Sequence, residues 1–84
     1  MEDLSIKVRK LREVYGYSQE SVAYQMGISQ AAYSKKERGK TRFTFTCIET
    51  LAKVYELSFM ELVSLSTQTL LIRAIEANKF DAAA

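Results

Sequence analysis

Gln30, Ala31, Ser34, Lys35 and Arg38 share one side of a helix if the chain from Gln30 turns at about 3.6 residues per turn. That side offers a carboxamide that donates and accepts at once, a hydroxyl, a small methyl group and two cations. None of them is a nucleophile with an evident base. The chain has no histidine, a single cysteine (Cys47) and no glycine-rich phosphate loop. Metal centres of the Cys/His type and the common catalytic constellations therefore lack their residues, and no enzyme activity, cofactor or metal is expected. What remains open to the stripe is non-covalent recognition of donor and acceptor edges.

Local signals say which elements must hold that stripe. Ser18 to Gly39 reads as two short helices around Gly27, the second carrying the polar, basic outer face. That is the shape of a helix-turn-helix that enters the major groove of DNA. Ser18 is a natural N-cap for a helix over Gln19–Met26, and Ser29 for one over Gln30–Arg38. Gly16, Gly27 and Gly39 stop the successive helices. Tyr33 and Ala32 fall on the inner side of the third helix, where Lys36 is out of place unless its stem runs along apolar surface to water.

The remaining elements follow from apolar spacing. Leu4, Val8, Leu11 and Tyr15 form one stripe of a first helix over Leu4–Tyr15, with Lys7, Arg9 and Lys10 off it. After a basic loop from Lys40, with Phe43 and Phe45 tucked beneath, a fourth helix starts at Thr44 or Thr46. Thr46 and Glu49 have capping-box spacing, and Ile48, Leu51, Ala52 and Tyr55 form its stripe. Ser58 and Glu61 repeat that spacing at a fifth helix, with Phe59, Leu62 and Val63 facing inward. Helix is expected from Phe59 into the seventies, to about Phe80, interrupted near Thr67, with Asp81 to Ala84 frayed.

With 84 residues, 48% of them hydrophobic, and no proline, the chain reads as one small all-α domain. Cys47 serves as a small, half-buried apolar residue. No signal peptide or membrane span is visible, since a span needs roughly 20 apolar residues, and the composition suits the cytoplasm. The net charge of +2 hides an asymmetry: nine basic residues against five acidic over 1–42, but three against five over 43–84. The basic half suits phosphates.

Ser18-Gln19-Glu20, Ala23, Gly27-Ile28-Ser29, Tyr33-Ser34 and Glu37-Arg38-Gly39 together resemble the phage-repressor (XRE/Cro) family of helix-turn-helix regulators. The likeness runs from Leu4 to about Val63. It implies a compact five-helix, lambda-repressor-like helix-turn-helix domain over 1–66, followed by a C-terminal helical extension over 67–84. It places Gln30, Ala31, Ser34 and Lys35 at the major groove. Gln30 can pair bidentately with adenine, Lys35 can donate to guanine O6/N7, and Ala31 can touch a thymine methyl. It implies phosphate contacts for Gln19, which would also brace Gln30. Ser34, Lys40, Thr41 and Arg42 are better placed for phosphates, with Arg38 beside them. The Arg12–Glu37 pair would join helices one and three by a salt bridge. Lys36 departs from the family, which usually has an apolar residue there.

The function expected from these residues is sequence-specific binding of double-stranded DNA by a transcriptional regulator, a repressor by resemblance. Useful specificity needs two copies, with recognition helices about 34–36 Å apart on a near-palindromic operator. The candidate homodimer surface is Leu70, Leu71, Ile72 and Ile75, which would otherwise fold back onto the domain. The alternative is a protein-interaction module, antitoxin or anti-repressor, for which DNA contact is secondary.

Overall fold

Each helix in the computed structural model, which describes residues 3–77, starts at a polar side chain that accepts a free backbone N–H. Asp3 caps α1 (Leu4–Tyr15), Ser18 caps α2 (Gln19–Met26), and Ser29 caps α3 (Gln30–Glu37). Thr44 caps α4 (Phe45–Val54), Ser58 caps α5 (Phe59–Ser64), and Ser66 caps α6 (Thr67–Glu76). A cap of this kind contributes about 1 kcal/mol, which matters for helices of two or three turns. The Ser58/Glu61 capping box is complete. The one expected at Thr46/Glu49 is not: Thr44 takes the cap, which places Thr46 inside α4, where its carbonyl accepts from the Thr50 hydroxyl.

Between α2 and α3 the chain turns at Gly27, with φ 77°, a conformation that strains any residue with a Cβ. Ile28 follows and packs against the core. The helix expected from Phe59 into the seventies is interrupted near Thr67, as expected, and so forms α5 and α6. Leu65 is extended, with ψ 146°, and Ser66 opens α6 immediately afterwards. The expected continuation to Phe80 and the fraying of 81–84 lie outside the described residues.

Val8 and Leu11 of α1, Val22 and Ala23 of α2, Tyr33 of α3, Leu51 and Ala52 of α4, and Leu62 of α5 pack into one buried cluster. α6 lies against α1 and adds Leu70, which is 2% exposed, to the same cluster. Leu70 therefore does not belong to a free dimer surface, a correction to the expectation above. Leu71 is half-buried against the core, while Ile72 and Ile75 stay on the outside, 46% and 57% exposed. Two further expectations fail nearby. Phe45 is exposed rather than tucked under the loop, and it stacks on a half-buried Phe59 with ring centroids 4.6 Å apart. The inward face expected of α5 is also only partly formed: Leu62 is fully buried, while Phe59 and Val63 are half-buried.

Lys7 is the largest departure from the simple pattern, since it is buried in α1 rather than solvated. Its Nζ donates to the carbonyls of Leu62 at 2.9 Å and Leu65 at 2.7 Å, with Val63 at 3.5 Å. These carbonyls belong to the C-terminal end of α5, where the helix dipole is negative and the last C=O groups lack helical partners. Lys7 thus ties α1 to the end of α5. Hydrogen bonds to a charged group are worth about 1.5–3 kcal/mol, so Lys7→Met, which keeps the stem, is expected to lower unfolding free energy by that order. Urea denaturation checks this, and an unchanged midpoint would deny Lys7 its role as a tie. No helix among the described residues is long and apolar enough to cross a membrane.

Candidate nucleic-acid interface

Glu37 anchors the inner side of α3. Its side chain is 3% exposed and its two oxygens accept four hydrogen bonds. Arg12 Nε donates to Oε2 at 2.8 Å and Arg12 Nη2 to Oε1 at 3.0 Å, a bidentate pairing. Gln19 Nε2 donates to Oε1 at 2.9 Å, and the Tyr33 hydroxyl to Oε2 at 2.6 Å. Arg12 also reaches the Tyr17 carbonyl with Nη1 at 3.0 Å, in the turn between α1 and α2. One carboxylate therefore joins α1, α2 and α3. Gln19 donates its amide to Glu37, which links the start of α2 to the inner side of α3.

The proton equilibria follow this arrangement. Burial pushes the Glu37 carboxyl up, but the bonds from Arg12, Tyr33 and Gln19 outweigh it and hold the carboxyl below its ordinary value. The same bond to Glu37 raises Arg12. Burial, and then its bond to Glu37, push the Tyr33 hydroxyl well up, so it stays a donor.

With Tyr33 and Glu37 turned inward at four-residue spacing, the opposite face of α3 must point out. Gln30, Ala31, Lys35 and Arg38 are all exposed, and Ser34 is half-buried at the edge of that face. Arg38 is the C-cap of α3 and not its last helical residue. The chain then folds back across the end of the helix. Gly39, at φ 79°, donates to the Lys36 carbonyl at 3.0 Å, and Lys40 N donates to the Lys35 carbonyl at 2.8 Å. Lys40, Thr41 and Arg42 follow directly and are exposed. The expected base-contact residues thus share one outer face, with Arg38, Lys40, Thr41 and Arg42 at its C-terminal end. Gln19 is half-buried beneath it.

Lys36 is half-buried, and its tip lies at the solvent-exposed surface. Its Nζ donates to the Arg42 carbonyl at 3.0 Å, in a hollow lined also by Leu4, Gly39 and Phe43. The Lys36-to-Arg42 spacing carries no local signature from which that bond could be read.

Losing one member of a buried ion pair costs about 3–5 kcal/mol, so Glu37→Gln is expected to lose that order of stability at pH 7. Because the folded-state value of Glu37 is lowered, its contribution is complete above the ordinary carboxylate value of about 4.3 and fades as pH falls through the folded value. The wild type's advantage over Glu37→Gln should therefore shrink as pH drops below about 4. Denaturant titrations of both proteins at neutral and acid pH check this; a constant difference would contradict it.

Comparison of the chain with curated proteins and with solved structures returned no match. The family comparison did: with the capped α2–Gly27–α3 unit, its outward stripe and its buried anchor all lying within the matched residues 3–65, the chain belongs to the helix-turn-helix domain family.

Proposed function

We propose that the protein is a transcriptional regulator of the phage-repressor (XRE/Cro) type, acting as a repressor. It binds double-stranded DNA sequence-specifically with α3 in the major groove. The observation that carries this reading is the exposed face Gln30, Ala31, Ser34 and Lys35, backed by a buried carboxylate that fixes which way the helix faces. Gln30 reads adenine, Lys35 guanine, and Ala31 a thymine methyl. Gln19, Arg38, Lys40, Thr41 and Arg42 hold phosphates and set the register. The exposed cations Arg9 and Lys10 add to the attraction of this half for DNA.

One recognition helix reads few base pairs, so the regulator works as a homodimer on a near-palindromic operator. Leu71, Ile72 and Ile75 are the part of α6 available for pairing, with Leu70 taken up by the core.

Selection of bound sequences from a random DNA pool tests the function. A half-site repeated at fixed spacing is expected; no recovered motif would instead favour the protein-interaction module. Gln30→Ala should relax base preference at one position. Arg42→Ala should weaken all sequences alike and lower the salt slope by about 1. Affinity indifferent to salt would sink the reading altogether. Ile72 and Ile75 are already exposed, so Ile72→Glu with Ile75→Glu should leave the fold intact and shift sedimentation from dimer to monomer. A dimer that survives both changes would rule α6 out.

A further inference from the structure

We propose that Lys36 is a positioning residue for the basic loop: by holding the Arg42 carbonyl it sets Lys40, Thr41 and Arg42 in place before any phosphate arrives. The inference rests on the DNA-binding reading, and it starts from a residue that the family pattern does not explain. On the inner side of α3 an apolar side chain would fill space and do no more. Lys36 lines a hollow there and ends in a donor that meets the loop.

The loop leaves α3 under two kinds of control. Its first half is tied by backbone, through Gly39 N to the Lys36 carbonyl at 3.0 Å and Lys40 N to the Lys35 carbonyl at 2.8 Å. Thr41 N reaches the Lys35 carbonyl only at 3.4 Å, near the limit of a useful bond. Beyond that point the Lys36 Nζ takes over at the Arg42 carbonyl, 3.0 Å away. Phe43 packs against the core and Thr44 caps the next helix, so the tie falls between Thr41 and these two anchors.

The charge sits on the protein side of this contact and its partner is a carbonyl dipole. The loop's own side chains are therefore left free: Lys40, Thr41 and Arg42 are all exposed, while Lys36 is half-buried. A loop ordered in advance does not lose that freedom when it binds, so its phosphate contacts contribute more net affinity. Lys36 raises affinity through the loop and leaves sequence preference untouched, because phosphate contacts carry no direct sequence information.

The test compares the full-length protein with Lys36→Leu, Lys36→Arg, Arg42→Met and the double variant Lys36→Leu/Arg42→Met. Leucine is the kind of residue the resembled family carries here; should Lys36→Leu not fold, Lys36→Met takes its place. Without DNA, hydrogen exchange is read at the amides of Lys40 and Thr41. Losing this solvent-exposed bond should speed exchange there by about threefold to tenfold, with α1 and α4 unchanged and Lys36→Arg restoring protection. Unchanged exchange overturns the proposal whatever the DNA results.

With DNA taken from the selection, Lys36→Leu should weaken every sequence equally, by up to about tenfold. The double variant should bind little worse than Arg42→Met alone, because Lys36 acts through the loop. Fully additive losses would make Lys36 a phosphate contact in its own right and overturn the positioning role. Absence of salt-dependent binding by the wild type would remove the DNA-binding reading, while the exchange result still judges the tie itself.

Discussion

The carboxylate of Glu37 is the constraint on which the arrangement depends. Two oxygens receive four donors from three helices, so neither a lone pair nor a charge is left without a partner in a region closed to water. A buried ion pair of this kind is weak evidence for stability in itself, since desolvation offsets much of the attraction. Its value here is geometric. Arg12 is pinned through the Tyr17 carbonyl as well as through Glu37, so the rotation of α3 about its own axis is set relative to α1 and to the α1–α2 turn. The face carrying Gln30 and Lys35 is outward because the face carrying Tyr33 and Glu37 has no other place to go.

Cations are divided between two uses, and the division changes what the charge pattern means. Of the nine basic residues in the first half, three are engaged inside the protein: Lys7 at the end of α5, Arg12 at Glu37 and Lys36 at Arg42. Arg9, Lys10, Lys35, Arg38, Lys40 and Arg42 are exposed. Four of these six lie on α3 or in the loop that follows it. The field such a protein presents to a polyanion comes from where these charges sit, and net charge alone understates it.

At the other end, α6 shows how a small domain recruits its own tail. Leu70 and Ala74, four residues apart, turn inward against α1, and Ile72 and Ile75 are left on the outer side by the same helical period. The Arg73–Glu61 ion pair, 3.0 Å long and exposed, links α6 to the start of α5. It adds little stability, as is usual for surface pairs. Glu61 is held below its ordinary value by its backbone bond at Ser58 and then by Arg73. A single carboxylate thus serves the capping box and the inter-helix contact at once.

Helix positions were legible from residues alone wherever the determining interaction spans three or four residues. Ser18, Ser29 and Ser58 announce their helices, Gly27 and Gly39 their turns, and the wheel of α3 separates Gln30 and Lys35 from Tyr33. Ser66 opens α6 in the same way, its side chain accepting from the Thr69 backbone N–H at the interruption expected near Thr67. Competing caps were harder: Thr44 and Thr46 offer the same chemistry two residues apart, and packing chooses between them. The contacts decided by tertiary structure join residues far apart in the chain. Lys7 meets Leu62 at the end of α5 from 55 residues away, and Gln19 meets Glu37 from 18 residues away. Periodicity assigns a side chain to a face of its own helix, but it carries no information about which carbonyl or carboxylate the fold will bring opposite. For that reason Leu70 was visible as an apolar residue on a stripe, and only the packing of α6 on α1 turned it from surface into core.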